Sequence, residues 1–306
     1  MVFTSTLFVA LAAFCWGLSG GIGGILLGQG WAPFVVSFYR GLVGLFFVLV
    51  WLVLRPQRSG LGNRQLWLWS ALAGLGVAGN FAFYFVSISE GSIAVAATLM
   101  YCAPVYVYLI SFALKIEAPS ALKWIAIAVV MIGIVLLTQV YDIGNSGLTA
   151  IGLGAGLLSG LSYALFIFGF KYAAPRGSPQ ATLAIAFTVL AASLVGFTDL
   201  GETLSVPGST DLHLFVSLGV LGAGVSFILY VIGLNRTAPA VAAVLAMVEP
   251  VTASLFGLFV FGESLSGLQF VGMGLILVMV TVLSVSSSLG KQPSMARRSR
   301  AVGEPE

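Results

Sequence analysis

Charge is what this sequence has least of. Charged residues fill 8% of the 306 positions while 59% are hydrophobic, against roughly 25% charged in an ordinary soluble domain. A water-soluble fold has too little interior to hide that much apolar surface, so that class is excluded. Histidine occurs once, as His213, and cysteine twice, as Cys15 and Cys102. One histidine with no Cys or carboxylate cluster beside it is not a metal site, and His213 reads as an interfacial polar residue. Both cysteines fall in apolar stretches and read as small buried hydrophobes rather than a disulfide. There is no H-E-x-x-H, no G-x-x-x-x-G-K-[ST] and no G-x-S-x-G with a partner histidine. An intramembrane metalloenzyme and an ATP-driven pump therefore have no support. No metal, cofactor or nucleic acid is expected, and no enzymatic activity.

What the chain has in quantity is apolar length. A bilayer core about 30 Å thick takes roughly 20 apolar residues per helix, and polar breaks recur about every 30 residues. That spacing predicts ten spans, at 4–26, 33–54, 66–87, 91–114, 121–140, 148–170, 178–198, 212–234, 238–261 and 266–288. A β-barrel is excluded because "AIAVVMIGIVLL" is apolar on every side instead of alternating. The opening "MVFTSTLFVALAAFCWG" has no basic residue before its apolar stretch and runs too long for a cleaved signal core. It reads as a retained first span.

The basic residues set the orientation. With a cytoplasmic N-terminus, Arg55, Arg58, Arg64, Lys115, Lys123, Lys171, Arg176, Arg236, Lys291, Arg297, Arg298 and Arg300 all fall inside, which is twelve of the thirteen. Glu90, Asp142, Asp199, Glu202, Asp211 and Glu263 fall outside. Both termini are then cytoplasmic, and the tail "KQPSMARRSRAVGEPE" reads as a flexible basic end over anionic lipid. The remaining cation, Arg40, lies inside the second span.

Sliding the sequence by 146 residues lays 84–117 over 230–263 without a gap, with ten of 34 positions identical. The matches include "AVAA", Pro104 with Pro250, and Glu117 with Glu263; the same offset puts Asn80 over Ser226 and Tyr84 over Tyr230. Five spans per half is an odd number, so the second half must enter the membrane upside down, and the loop charges obey this. The expected organisation is residues 1–145 as one five-span repeat, 146–290 as a second, inverted one, and 291–306 as the tail. Inverted repeats of this kind mark alternating-access carriers with substrate held near the midplane.

"LMYCAPVYVYLISFALKIE" and "LAMVEPVTASLFGLFVFGE", each closing a half, resemble the EamA repeats of the drug/metabolite transporter superfamily, and the likeness covers nearly the whole chain. A mid-helix Pro followed about thirteen residues later by Glu is the shared pattern; the first half departs from it with "KIE" where Gly-Glu is more usual. The resemblance implies an all-α integral membrane protein of ten helices in two inverted repeats, seated in a bacterial inner membrane as a monomer or homodimer. It further implies a secondary transporter exporting amino acids or related metabolites, and the aromatic-rich first half looks most like exporters of aromatic amino acids. A drug or small-amphiphile efflux carrier is the second reading, and a channel the third.

Individual residues sharpen this. Pro104 and Pro250 cannot donate backbone hydrogen bonds, which frees the carbonyls of Met100 and Ala246 and predicts two kinks, either fixed by packing or used as gates. Glu249 lies about 16 Å deep, where a charge costs roughly 2.5 to 3.5 kcal/mol. It has three candidate roles: a proton-coupling carboxylate, a contact for a substrate amino group, or half of an ion pair with Arg40. Trp16, Tyr39, Asn80, Tyr84, Tyr101, Tyr163, Ser226 and Tyr230 sit within spans, and such a set offers apolar area with a few polar handles, the composition of a small-molecule site. For each, packing is the competing reading. The stripes Gly20, Gly24, Gly28 and Gly152, Gly156, Gly160 predict close helix contacts.

Overall fold

A computed structural model describes residues 2–56, 59–90, 93–116, 118–142 and 149–289, and within it ten helices are long and apolar enough to cross a membrane. Spans 1 to 5 are Thr4–Gly28, Pro33–Leu54, Arg64–Ser89, Val95–Ala113 and Ala121–Thr138. Spans 6 to 10 are Ala150–Ala173, Pro179–Phe197, Leu212–Leu234, Pro239–Val260 and Gly267–Ser286. Their starts follow local chemistry. Proline stands in the first turn of spans 2, 7 and 9, where its missing N–H has no partner to lose. The side chains of Asn63, Thr149 and Ser178 accept the N–H groups of Gln65, Gly152 and Ala181 at 2.9, 3.0 and 3.3 Å, capping spans 3, 6 and 7. Arg58, Glu117 and the tail 291–306 lie outside the described residues.

The loops sort onto two faces. On the near face, where span 1 starts, Ser178 N donates to Ser59 O at 3.0 Å and Gln180 Nε2 to Arg55 O at 3.1 Å. On the far face Thr149 N donates to Glu90 O at 3.0 Å, and Gln139 Nε2 to Ser266 Oγ at 3.0 Å. Trp31 Nε1 also reaches Asp211 Oδ2 there, at 2.9 Å, and Glu202 Oε1 accepts Ala32 N at 2.6 Å ahead of span 2. His213 sits on this face with Nδ1 2.9 Å from Thr210 O.

Span 3 packs on span 6 and span 8 on span 1; span 4 packs on span 6 and span 9 on span 1; span 2 meets span 7 and span 5 meets span 10. When the halves are exchanged, the first four of these contacts interchange in pairs and the last two map onto themselves. Small residues permit the closest of them. A methyl group on Gly160 would lie 2.9 Å from the Leu99 carbonyl and 3.1 Å from that of Met100, and one on Gly17 would lie 2.6 Å from the Glu249 carbonyl. Each half thus presses a glycine of its first span onto the broken helix of the other half. The stripe expected from Gly20, Gly24 and Gly28 is not the contact: Gly20 and Gly28 have nothing within 4 Å, and Gly24 meets only the Phe261 ring at 3.6 Å. Gly17 and Gly21, about 60° around the helix from Gly20 and Gly24, make the approach.

Three spans are interrupted near mid-membrane. Span 4 is built from the helices Ile93–Met100 and Ala103–Ala113, span 9 from Pro239–Leu245 and Val248–Val260. The carbonyl of Ala246, released by Pro250, is taken by Glu249 N at 3.0 Å, a tightening that turns the chain by one short step at the carboxylate. Span 8 has the third interruption, a π-helical turn at Val220–Val225 between Leu212–Gly219 and Ser226–Leu234. The corresponding stretch of span 3 is continuous α-helix.

Candidate substrate site between the two halves

Glu249 stands ten residues from the near end of span 9 and Gly222 ten from the far end of span 8, so at 1.5 Å per residue both sit about 15 Å deep. At this level spans 1, 2, 3, 6, 8 and 9 enclose a cavity of about 30 Å³, lined by Trp16, Arg40, Val77, Asn80, Phe81, Tyr163, Phe166, Phe227 and Glu249. That is room for one or two waters, so the cavity is closed to anything the size of an amino acid.

Each charge in the wall has a neutral partner. Arg40 donates through Nε and Nη2 to the Gly222 carbonyl at 3.2 and 3.1 Å, and its guanidinium carbon lies 5.4 Å from the centre of the Phe81 ring. That carbonyl is accessible because the π-helical turn displaces the backbone there, a feature frequent at functional sites. Glu249 Oε2 accepts the Tyr163 hydroxyl at 3.3 Å. The ion pair between Arg40 and Glu249 weighed from depth alone does not form: both groups line one cavity and feel each other's charge, yet each hydrogen-bonds elsewhere.

Of the eight residues singled out from the sequence, Trp16, Asn80 and Tyr163 line the cavity. Asn80 spends its Nδ2 on Ser159, donating to the carbonyl at 3.2 Å and to Oγ at 3.1 Å, so it also ties span 3 to span 6. Tyr230 lies directly behind Trp16, with ring centroids 4.9 Å apart. Ser226 closes the π-helical turn. Trp16 Nε1, Ser226 Oγ and Tyr230 OH are buried polar atoms with no hydrogen-bond partner, a costly state in a dry interior. Tyr84 and Tyr101 are within electrostatic range of Glu249 without lining the cavity. Tyr39 does not belong to the site: its hydroxyl donates to Thr203 O at 2.7 Å and its ring packs 5.2 Å from Phe215, toward the far face. Sequence reasoning missed Val77, Phe81, Phe166 and Phe227, whose aliphatic and aromatic side chains look like any other in an apolar span. It also missed the Gly222 carbonyl, for which "GAG" at 222–224 was the available signal.

Toward the near face, spans 1 and 8 border a second cavity of about 470 Å³, lined among others by Thr4, Ser5, Phe8, Val231, Asn235 and Arg236. From Phe8 to Trp16 is eight residues, about 12 Å along the helix. The aromatic cluster of Trp16, Phe166, Phe170, Phe227 and Tyr230, with ring centroids 4.9 to 6.4 Å apart, separates the two cavities. Beside the vestibule, Lys171 Nζ on span 6 donates to the carbonyls of Leu234, Asn235 and Thr237 at 2.8, 3.1 and 2.7 Å, fastening the turn between spans 8 and 9.

Known proteins share this architecture. The chain is 27% identical over 307 residues to the uncharacterized transporter YwfM of Bacillus subtilis (strain 168), covering 96% of this chain and 98% of that one. It is 26% identical over 223 residues to the threonine/homoserine exporter RhtA of Escherichia coli (strain K12), covering 72% and 69%. A solved crystal structure superposes with a TM-score of 0.74 at 20% identity, over 94% of this chain and 99% of that one, a likeness of fold alone. The EamA-like transporter family matches twice, over residues 4–139 and 150–285. A multi-pass helical membrane protein with this double match belongs to the EamA-like transporter family, within the drug/metabolite transporter superfamily.

Proposed function

We propose that the protein is a secondary carrier that exports amino acids or related small metabolites by alternating access, and not an enzyme. The observation that carries the reading is the small midplane cavity with one cation and one carboxylate in its wall, placed between two five-span units whose contacts exchange. Buried charges inside a membrane are retained for substrate or ion handling. Spans 4, 8 and 9 are interrupted at the depth of that cavity, and irregular backbone at membrane depth is tolerated where it lines such a site. The likeness to an exporter of threonine and homoserine supports the substrate class.

The near face is cytoplasmic in this reading, following the basic loops, and the protein sits in the bacterial inner membrane. Substrate enters the vestibule beside Thr4 and Asn235, passes when Tyr230 and Phe170 swing aside, and leaves on the far face as Trp31, Asp211 and Glu202 part. Glu249 carries the coupling proton. The cavity is formed within one chain, so a monomer suffices for transport. Drug or amphiphile efflux is the second reading, favoured by the aromatic walls formed by Trp16, Phe166 and Phe227.

Counterflow in proteoliposomes tests this. Vesicles preloaded with mixed unlabelled amino acids should take up some labelled ones saturably. Saturable counterflow only for cationic amphiphiles would select the second reading, and linear, unsaturable flux would select a channel.

A further inference from the structure

We propose that the cavity recognises a zwitterion through its two ends: the substrate carboxylate at Arg40 and the substrate ammonium at Glu249 and Tyr163. The inference rests on the carrier reading above and specifies which chemical groups of the substrate that site reads.

The halves contribute unequal chemistry at this level. Under the offset of 146 the position of Arg40 is occupied by Ala186, and that of Glu249 by Ala103. The cation therefore comes once, from the first half, and the carboxylate once, from the second, and they meet at the seam where alternating access must bind and release. Two opposite charges that served only stability would gain most by direct contact, because a buried charge without its counter-ion is more costly than a closed pair. Here they are held apart. The guanidinium is turned onto the Gly222 carbonyl by a π-helical turn that span 3 lacks, and the carboxylate is turned onto Tyr163. A methyl group on Gly222 would lie 2.8 Å from Arg40 Nε, so only glycine leaves room for that fork.

A ligand with both charges completes the arrangement from between. Its carboxylate takes the guanidinium edge left over from Gly222, since guanidinium and carboxylate match in planar geometry. Its ammonium donates to Glu249. Trp16, in the same wall, holds one more donor, Nε1, that lacks a partner. With the ligand bound, the site of Arg40, Glu249 and zwitterion has no net charge.

The test is competition against counterflow of labelled L-threonine and L-phenylalanine by four forms of each: the free amino acid, its N-acetyl derivative (an anion), its methyl ester (a cation) and the N-acetyl methyl ester (neutral). The free forms should compete at least about 100-fold better than any blocked form, the penalty for leaving a built polar site unpaired. Glu249→Gln should narrow the preference over the N-acetyl anion, and Arg40→Met the preference over the ester, each leaving the other preference in place. If free amino acids show counterflow but blocked forms compete equally, the two-ended recognition is wrong and the carrier reading stands. If no free amino acid shows counterflow, both fall. Should either variant fail to fold, the competition series on the unmodified protein decides alone.

Discussion

Replacing Lys171 by methionine removes one ammonium that holds three carbonyls across the turn between spans 8 and 9. A hydrogen bond to a charged group contributes about 1.5 to 3 kcal/mol when buried. At the end of the bundle water replaces much of that, and about 1 kcal/mol for each bond is the fitting value. The total is about 3 kcal/mol, a shift of roughly 100-fold in the balance between closed and open near faces. Opening can be read through Val231→Cys, since Val231 borders the vestibule and is 1% exposed, in a background carrying Cys15→Ala and Cys102→Ala. A membrane-impermeant maleimide added at the near face should label that cysteine roughly 100-fold faster once Lys171 is methionine, provided opening is rare and reclosing fast. An unchanged rate would refute the reasoning. A lower melting temperature with an unchanged rate would make Lys171 a cap for the two chain ends and remove it from gating.

Other expectations follow from the same geometry. Glu249→Gln should exchange substrate only at a raised half-saturation concentration and lose all accumulation driven by a pH gradient, measured in the same vesicles with and without the gradient. Arg40→Met with Glu249→Met should be more stable than either single variant, because a lone buried charge costs more than none; thermal unfolding of all four proteins in detergent gives the coupling, and additive losses would contradict it. Gly17→Ala should destabilise by about 1 to 3 kcal/mol, because its methyl group meets Thr252 Cβ at 2.5 Å and the Glu249 carbonyl at 2.6 Å. Gly20→Ala, with nothing within 4 Å, should stay within about 0.5 kcal/mol, and equal effects in the same assay would contradict the packing of spans 1 and 9.

The ten spans were legible because apolar length and capping chemistry are local: Pro33 or Thr149 acts on its own first turn whatever the rest of the chain does. The breaks in spans 4 and 9 were legible for the same reason, since a proline's missing N–H is written into one residue. The second-half pattern was also clear at its end, where Gly262 takes a positive φ of 69°. In the first half, where "KIE" replaces Gly-Glu, the positive φ of 55° falls on Lys115, one position before Ile116, the counterpart of Gly262, so the departure moves the turn by one residue.

Direction around a helix was not legible. Gly17 and Gly20 differ by about 60° on a helical wheel, and in a span that is apolar all round no pattern says which side finds a neighbour. Tyr39 and Arg40 are adjacent in sequence, yet one ties down the far-face segment at Thr203 and the other enters the cavity. The partner of Arg40 was hidden for a further reason. It is a backbone carbonyl, released by a change of helical pitch, and no side chain at Gly222 announces it.

The central claim is a single midplane site open to one side at a time. Val77→Cys in the background lacking the native cysteines tests it most directly, because Val77 lines the cavity and touches neither charge through a hydrogen bond. A membrane-impermeant maleimide should label this cysteine from the near face under one substrate gradient and from the far face under the reverse one, with excess transported amino acid slowing both. Labelling from both faces at once, unaffected by any gradient, would describe a pore and contradict the account.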